Sequence, residues 1–261
     1  MLATSSVLLA VAATLPLSQR ADPCDEVRNW SERYETRCEV REYTLTGLAS
    51  LTVDGGSNGG IAVEAWDQPS IRVRAVVVTR ARSIERTQEM ARDVEVSANS
   101  SNLHASGPST GRNESWYVTW RISAPAGTNL DLQATNGGIT VTRMHGTTRF
   151  HVTNGGIVLH DLAGDVQGST VNGGLHIALG GSRWDGSGMD VTTTNGGVTV
   201  EIPDDYSGEF ETGTVNGGLN VDFPVTVQGR FGGRRLRFSL GSGGPLVRAR
   251  TTNGGVRLSR T

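Results

Sequence analysis

Apolar residues fall on every second position along much of the chain, and one tripeptide sets the phase of that alternation. Asn-Gly-Gly occurs at Asn58, Asn136, Asn154, Asn172, Asn195, Asn216 and Asn253. The third and fifth residues after each Asn are aliphatic: Ile61/Val63, Ile139/Val141, Ile157/Leu159, Leu175/Ile177, Val198/Val200, Leu219/Val221 and Val256/Leu258. Between them stand mostly polar residues such as Thr140, His176, Thr199, Asn220 and Arg257. Before the Asn, positions −6, −4 and −2 read Leu130/Leu132/Ala134, Thr148/Phe150/Val152 and Met189/Val191/Thr193. Alternation with a period of two on both sides predicts a strand, a sharp corner and a second strand, each with one buried face. A second break, such as His145-Gly146 or Ala163-Gly164-Asp165, closes the unit. Recurrence of such a unit marks a repeat architecture.

Asn and Gly tolerate positive φ, which is the expected reason for their place at the corner. A two-residue Asn-Gly hairpin turn puts positions −2 and +3, and −4 and +5, on one face. A corner in a stack of coils does the same. The phase therefore leaves two architectures open, a parallel β-solenoid and an antiparallel hairpin meander.

Upstream of the dense repeats the pattern is less regular. CEVREYTL and Ser50–Val53 alternate as strands, and IRVRAVVVT (71–79) is strongly β-branched. SIERTQEMARD (83–93) reads as a short helix, with Ser83 as N-cap and a weak apolar stripe of Ile84, Thr87, Met90 and Ala91. VEVSANSSNLHASG and ESWYVTWRISAP read as paired strands. Trp116 and Trp120 share one face of the second; they are core or end-cap aromatics, or else a surface on which sugars stack. The expected organisation is a signal peptide over 1–22, a β-rich section with a disulfide-tied cap and one helix over 23–129, and the Asn-Gly-Gly repeat over 130–261, continuous with it.

Composition narrows the chemistry. Among 261 residues there are 35 Gly but only 8 Pro, which fits corners rather than disorder. The formal net charge of −2 implies no nucleic-acid partner. All 24 Lys and Arg residues are arginine, which excludes lysine nucleophiles and Schiff bases. The apolar run Val7–Leu17 is too short to span a bilayer and suits an exported protein's leader, so no transmembrane segment is expected. In such a protein Cys24 and Cys38 are expected to pair, a bridge worth roughly 3 kcal/mol by loop closure.

No catalytic set emerges. The five histidines, His104, His145, His151, His160 and His176, take different phases and do not converge on a metal. Asp204/Asp205 and Asp161/Asp165 are the candidate carboxylate pairs for glycoside hydrolysis, yet both stand at strand breaks where Asp is common. No cofactor is expected. Insertions in repeat proteins project from one face, often the binding face. The two here are 180–190, with Trp184, and 223–245, with Arg230, Arg234, Arg235 and Arg237 interleaved with Phe231 and Phe238. Trp184 and these four arginines are the candidate ligand contacts; the alternative is a solvated edge hairpin whose Arg stems lie over apolar surface.

The repeats resemble bacterial adhesin-like domains of unknown function built from short β-strands, related to autotransporter-adhesin heads. The resemblance rests on VDGGSNGGIAVEAWD (53–67), LDLQATNGGITV (130–141), VTNGGIVLHDLAGDV (152–166), VTTTNGGVTVEIP (191–203), TVNGGLNVDFPVTVQG (214–229) and GSGGPLVRARTTNGGVRL (241–258). It implies a parallel β-solenoid on the cell envelope and defines no catalytic residues. The resulting expectation is an all-β solenoid serving as an exported, non-enzymatic adhesion, binding or scaffold module, with an envelope glycan or another envelope protein as partner. A polysaccharide-acting enzyme and an envelope-stress sensor partnered by a membrane protein are the alternatives.

If positive φ is what the corner requires, Gly155→Val destabilises the fold by more than about 1 kcal/mol, read as a fall in melting temperature.

Overall fold

The computed structural model describes residues 22–27, 33–225 and 234–261. The expected leader and Arg230 lie outside the described residues. After a single 3-10 turn, Pro23–Glu26, the chain forms β1 (Glu35–Leu45), β2 (Ser50–Asp54), β3 (Ile61–Ala65) and β4 (Ile71–Ala81). The helix α1 (Ile84–Asp93) follows, then β5 (Glu95–Ser97), β6 (Asn102–Ser106) and β7 (Ser115–Ala124). Regular coils begin with β8 (Asn129–Asn136) and β9 (Ile139–Thr142), then β10 (Thr147–Asn154) and β11 (Ile157–His160). Next come β12 (Asp165–Asn172) with β13 (Leu175–Ala178), and β14 (Gly188–Asn195) with β15 (Val198–Ile202). The chain continues through β16 (Gly208–Asn216), β17 (Leu219–Val221), β18 (Arg235–Leu240), β19 (Leu246–Asn253) and β20 (Val256–Arg260).

Each Asn-Gly-Gly corner carries the chain from one sheet to the other. The strands before the corners stack in one ten-stranded sheet, and those after them in a second. Strands joined by a corner do not pair with each other; they pair in parallel with the equivalent strand of the next coil, as Asn136↔Asn154↔Asn172 and Ile139↔Ile157↔Leu175 show. The hairpin meander is thereby excluded, and the fold is a two-sided β-solenoid. The inward rows form the core, with Ile139, Val141, Ile157, Leu159, Val198 and Val200 all at most 2% exposed. Leu219 and Val221 of β17, in the last coil of the stack, are only partly buried.

The glycines of the corner are explained by contact rather than by φ. None of the corner glycines except Gly254, at the margin of the extended region with φ 156°, has positive φ. A Cβ on the first glycine would instead strike the backbone of the neighbouring coil: at Gly155 it would lie 2.3 Å from the Gly137 carbonyl oxygen, and at Gly173 2.0 Å from that of Gly155. The second glycine has room; a Cβ at Gly156 would meet Gly174 O at 3.7 Å, an ordinary contact. Left-handed backbone falls at the other break of the coil, at Arg143, Asp161 and Gly164.

Polar groups at the corner are paired from coil to coil. The Asn154 amide donates to Asn136 Oδ1 (2.7 Å), Asn172 to Asn154, Asn195 to Asn172, Asn253 to Asn195 and Asn216 to Asn253 (each 2.8 Å). At the start of this ladder Asn136 donates to Asn58 at 3.3 Å. Buried threonines at position −2 satisfy the carbonyl of the neighbouring first glycine: Thr170 to Gly155, Thr193 to Gly173, Thr251 to Gly196 and Thr214 to Gly254.

The spatial order of coils departs from chain order. β19 lies between β14 and β16, and β20 between β15 and β17. β18 runs antiparallel along the far side of β16, and the antiparallel set β1–β4–β7 closes the opposite end of the second sheet. The expected pairing of 94–107 with 114–125 is not formed. β6 joins β2 and β5 in the first sheet, whereas β7 joins β3 and β4 in the second, where inward Trp120 donates its indole N–H to Asp54 O at 3.0 Å. The helix starts as expected, with Ser83 accepting from Arg86 N at 3.3 Å, and buries Thr87, Met90 and Ala91; Ile84 is instead exposed. Cys24 and Cys38 are joined by a disulfide.

The steric account makes a sharper demand than φ does. Gly155→Ala, which is free of β-branching, is expected to lose at least about 1–3 kcal/mol as an overpacked site, whereas Gly156→Ala loses less. Gly155→Asn separates the explanations in urea unfolding: a positive-φ corner would largely tolerate asparagine, whereas the clash with the Gly137 carbonyl excludes its Cβ as it excludes that of alanine.

Candidate functional site

The outward face of the first sheet carries charge in rows that cross the coils. Alternation points Asp190 of β14, Arg248 of β19, Glu211 of β16 and Arg237 of β18 to this face, and the register sets them side by side. Arg248 Nη1 lies 2.9 Å from Asp190 Oδ2 and its Nε 3.2 Å from Glu211 Oε1. Hydrogen bonds that Arg248 donates to Asp190 and then to Glu211 raise its pKa above the ordinary value, so the guanidinium is charged at any working pH. Stacked in chain order, Asp190 and Glu211 would be neighbours of like charge. Insertion of β19 turns the row into acid–arginine–acid.

The next row toward the corner is Thr192, Arg250, Gly213 and Arg235. Gly213 leaves a gap between two arginines, and a Cβ there would lie 2.6 Å from Arg234 O. The gap opens into a cleft of about 230 Å³ whose lining includes Arg234, Arg235, Arg250, Thr192 and Thr252 and, among the described residues, no carboxylate. Arg250 Nη2 reaches Asp190 Oδ1 at 3.4 Å, while its Nε is buried without a hydrogen-bond acceptor. A buried donor without an acceptor is costly. Planar guanidinium forks on both sides suit a carboxylate, sulfate or phosphate.

The structure divides the expected contact residues. Arg234 and Arg235 line the cleft, and Arg237 lies outside it, with Nε 3.9 Å from Glu209. Trp184 is not a contact surface: it is 2% exposed, packs in the core and donates its indole N–H to Gly164 O at 3.0 Å. Trp184 thus plugs the core, while its neighbours at 181–183 and 185–187 stay exposed. Trp116 is half-buried and donates to Pro108 O, and its ring covers Gly107. Arg149 stands across from Asp131 in register, but its guanidinium approaches Asp165 (4.0 Å). Asp204 and Asp205 are exposed in a turn, and no metal-holding group of three occurs among the described residues. Arg250 and Gly213 were not singled out by sequence. The available signal was glycine at an outward position −3 of a strand, where the other coils carry side chains.

The Toastrack DUF4097 family model matches residues 41–259. No curated protein matches the chain. Among solved structures, a candidate cell adhesion protein from Clostridium sporogenes ATCC 15579 aligns with a TM-score of 0.45 at 10% identity, covering 87% of this chain and 100% of its own. A candidate adhesin from Bacteroides fragilis NCTC 9343 gives 0.40 at 11% identity over 86% and 97%, and a candidate lipid binding protein from Parabacteroides distasonis ATCC 8503 gives 0.30 at 10% over 86% and 96%.

Removing the central arginine leaves two carboxylates facing each other. Arg248→Met is expected to cost about 1 kcal/mol, near the upper end for partly exposed pairs. Adding Glu211→Gln recovers part of that loss in a thermal melt; if the second change only lowers stability further, the row does not act as a unit.

Proposed function

This chain belongs to the Toastrack DUF4097 family, and from that premise we propose that it is an exported, non-enzymatic binding module of the cell envelope. Its cleft over Gly213 takes an acidic group of an envelope glycan. The observation that carries this reading is the pairing of Arg235 and Arg250 across a side-chain-free gap, with the buried Nε of Arg250 lacking an acceptor. The rigid coil stack supports the arginines from below, so little conformational freedom is lost when an anion binds. Several features favour export. The apolar stretch Val7–Leu17 suits a leader, the Cys24–Cys38 bond suits an oxidising compartment, and no helix among the described residues is long and apolar enough to cross a membrane. The site holds cations and hydroxyls but no carboxylate pair placed across a gap, which favours binding over hydrolysis.

Calorimetric titration with polygalacturonate and dextran sulfate, against neutral dextran, is the direct test. The acidic polymers are expected to bind, dextran is not, and Arg235→Gln with Arg250→Gln weakens binding at least tenfold at unchanged melting temperature. Equal binding of neutral dextran, or release of reducing ends from the acidic polymers, would overturn the assignment.

A further inference from the structure

A second cavity lies elsewhere, on the outward face of the β1–β4–β7 sheet. Its volume is about 420 Å³. Outward-facing Val76 and Val78 form its floor and are only 3% and 2% exposed, although they point away from the solenoid core. They are covered because Cys38, in register with Val78, holds the Pro23–Glu26 turn over the sheet through Cys24. Pro23 and Val27 supply the apolar roof.

The remaining wall is cationic and hydroxylic. Arg80 and Arg121 line it with Tyr117, and no carboxylate is among the described lining residues. The Arg80 guanidinium is held 4.7 Å over the Tyr34 ring, and its Nε is buried without an acceptor. The Tyr34 hydroxyl is itself tied to Asn113 at 2.8 Å, so this stacking platform is braced. Burial raises the Tyr117 pKa, which keeps the phenol a hydrogen-bond donor at neutral pH. One end of the cavity is therefore dry and apolar, and the other presents donors that ask for an anion.

We propose that this cavity binds an amphiphilic anion, a carboxylate or phosphate monoester carrying an alkyl group, with its head against Arg80 and Arg121 and its alkyl part over Val76 and Val78 beneath the disulfide-held turn. Its size lies within the usual range of small-ligand sites. Charge alone does not account for the covered valines, and apolar contact alone does not account for the arginines.

Calorimetry on the full oxidised chain tests this with octanoate, hexanoate, octyl phosphate, inorganic phosphate and octanol. Octanoate and octyl phosphate are expected to bind at one site; hexanoate, two methylenes shorter, binds roughly tenfold more weakly. Arg80→Met weakens octanoate at least tenfold, and Thr119→Phe, which fills the cavity from its wall and keeps the arginine, abolishes binding. Arg235→Gln has no effect, which separates this site from the cleft over Gly213. Octanol binding as tightly as octanoate, inorganic phosphate binding as tightly as octyl phosphate, or an absence of binding by all five probes would each overturn the proposal.

Discussion

The spacing between neighbouring coils at the first glycine of each corner is the constraint on which the rest depends. There the backbone of one coil approaches the next so closely that any Cβ would fall about 2 Å from a carbonyl oxygen, at Gly137, Gly155, Gly173, Gly196, Gly217 and Gly254 alike. That approach brings the Asn side chains within reach of one another and places the first-glycine carbonyls where the threonines at position −2 can donate to them. Identical corners enforce identical register, and a one-residue slip in any coil would turn its aliphatic row outward. The aliphatic core thus supplies most of the stabilisation, while the glycine contact specifies the arrangement.

Much of this was legible in the sequence because it is local. Alternation around the Asn-Gly-Gly tripeptide gave the strands and their inward faces, and Ser83 with its following turn marked the one helix. The reason for the glycines was misread because a positive-φ residue and a residue without room for Cβ look the same in sequence; only the neighbouring coil tells them apart. Trp184 was misread for a related reason. An aromatic within a Gly-rich insert is equally at home on a surface or as a plug, and the choice is made by Gly164 O, 20 residues away. Arg234 and Arg235 stood out in the sequence through their density and line the cleft, whereas Arg250 was hidden in an ordinary strand and joins the cleft only through the inserted coil.

Charge is distributed by the same rule on both faces. Where acids and arginines alternate across the coils, as in Asp190–Arg248–Glu211, they consume each other's charge and hold the register. Over Gly213 and beneath the Pro23–Glu26 turn the described lining offers arginines and hydroxyls without an acid. The difference between the two settings lies in the residues that line them. It explains how a chain of nearly neutral net charge presents two cationic recesses.

The insertion of β19 and β20 between coils that precede them in the chain bears on the order of synthesis. A solenoid whose coils follow chain order can grow by adding each coil to the last as it emerges, since each contacts only its neighbours. Here that growth halts after β15. The coil of β16 and β17 has no neighbouring coil, and β16 only β18 to pair with, until residues 246–260 arrive to lie between it and its predecessor. The final third of the stack must therefore condense in one event, late, and any chain interrupted before Leu246 carries an unfilled edge beside β14 and β15.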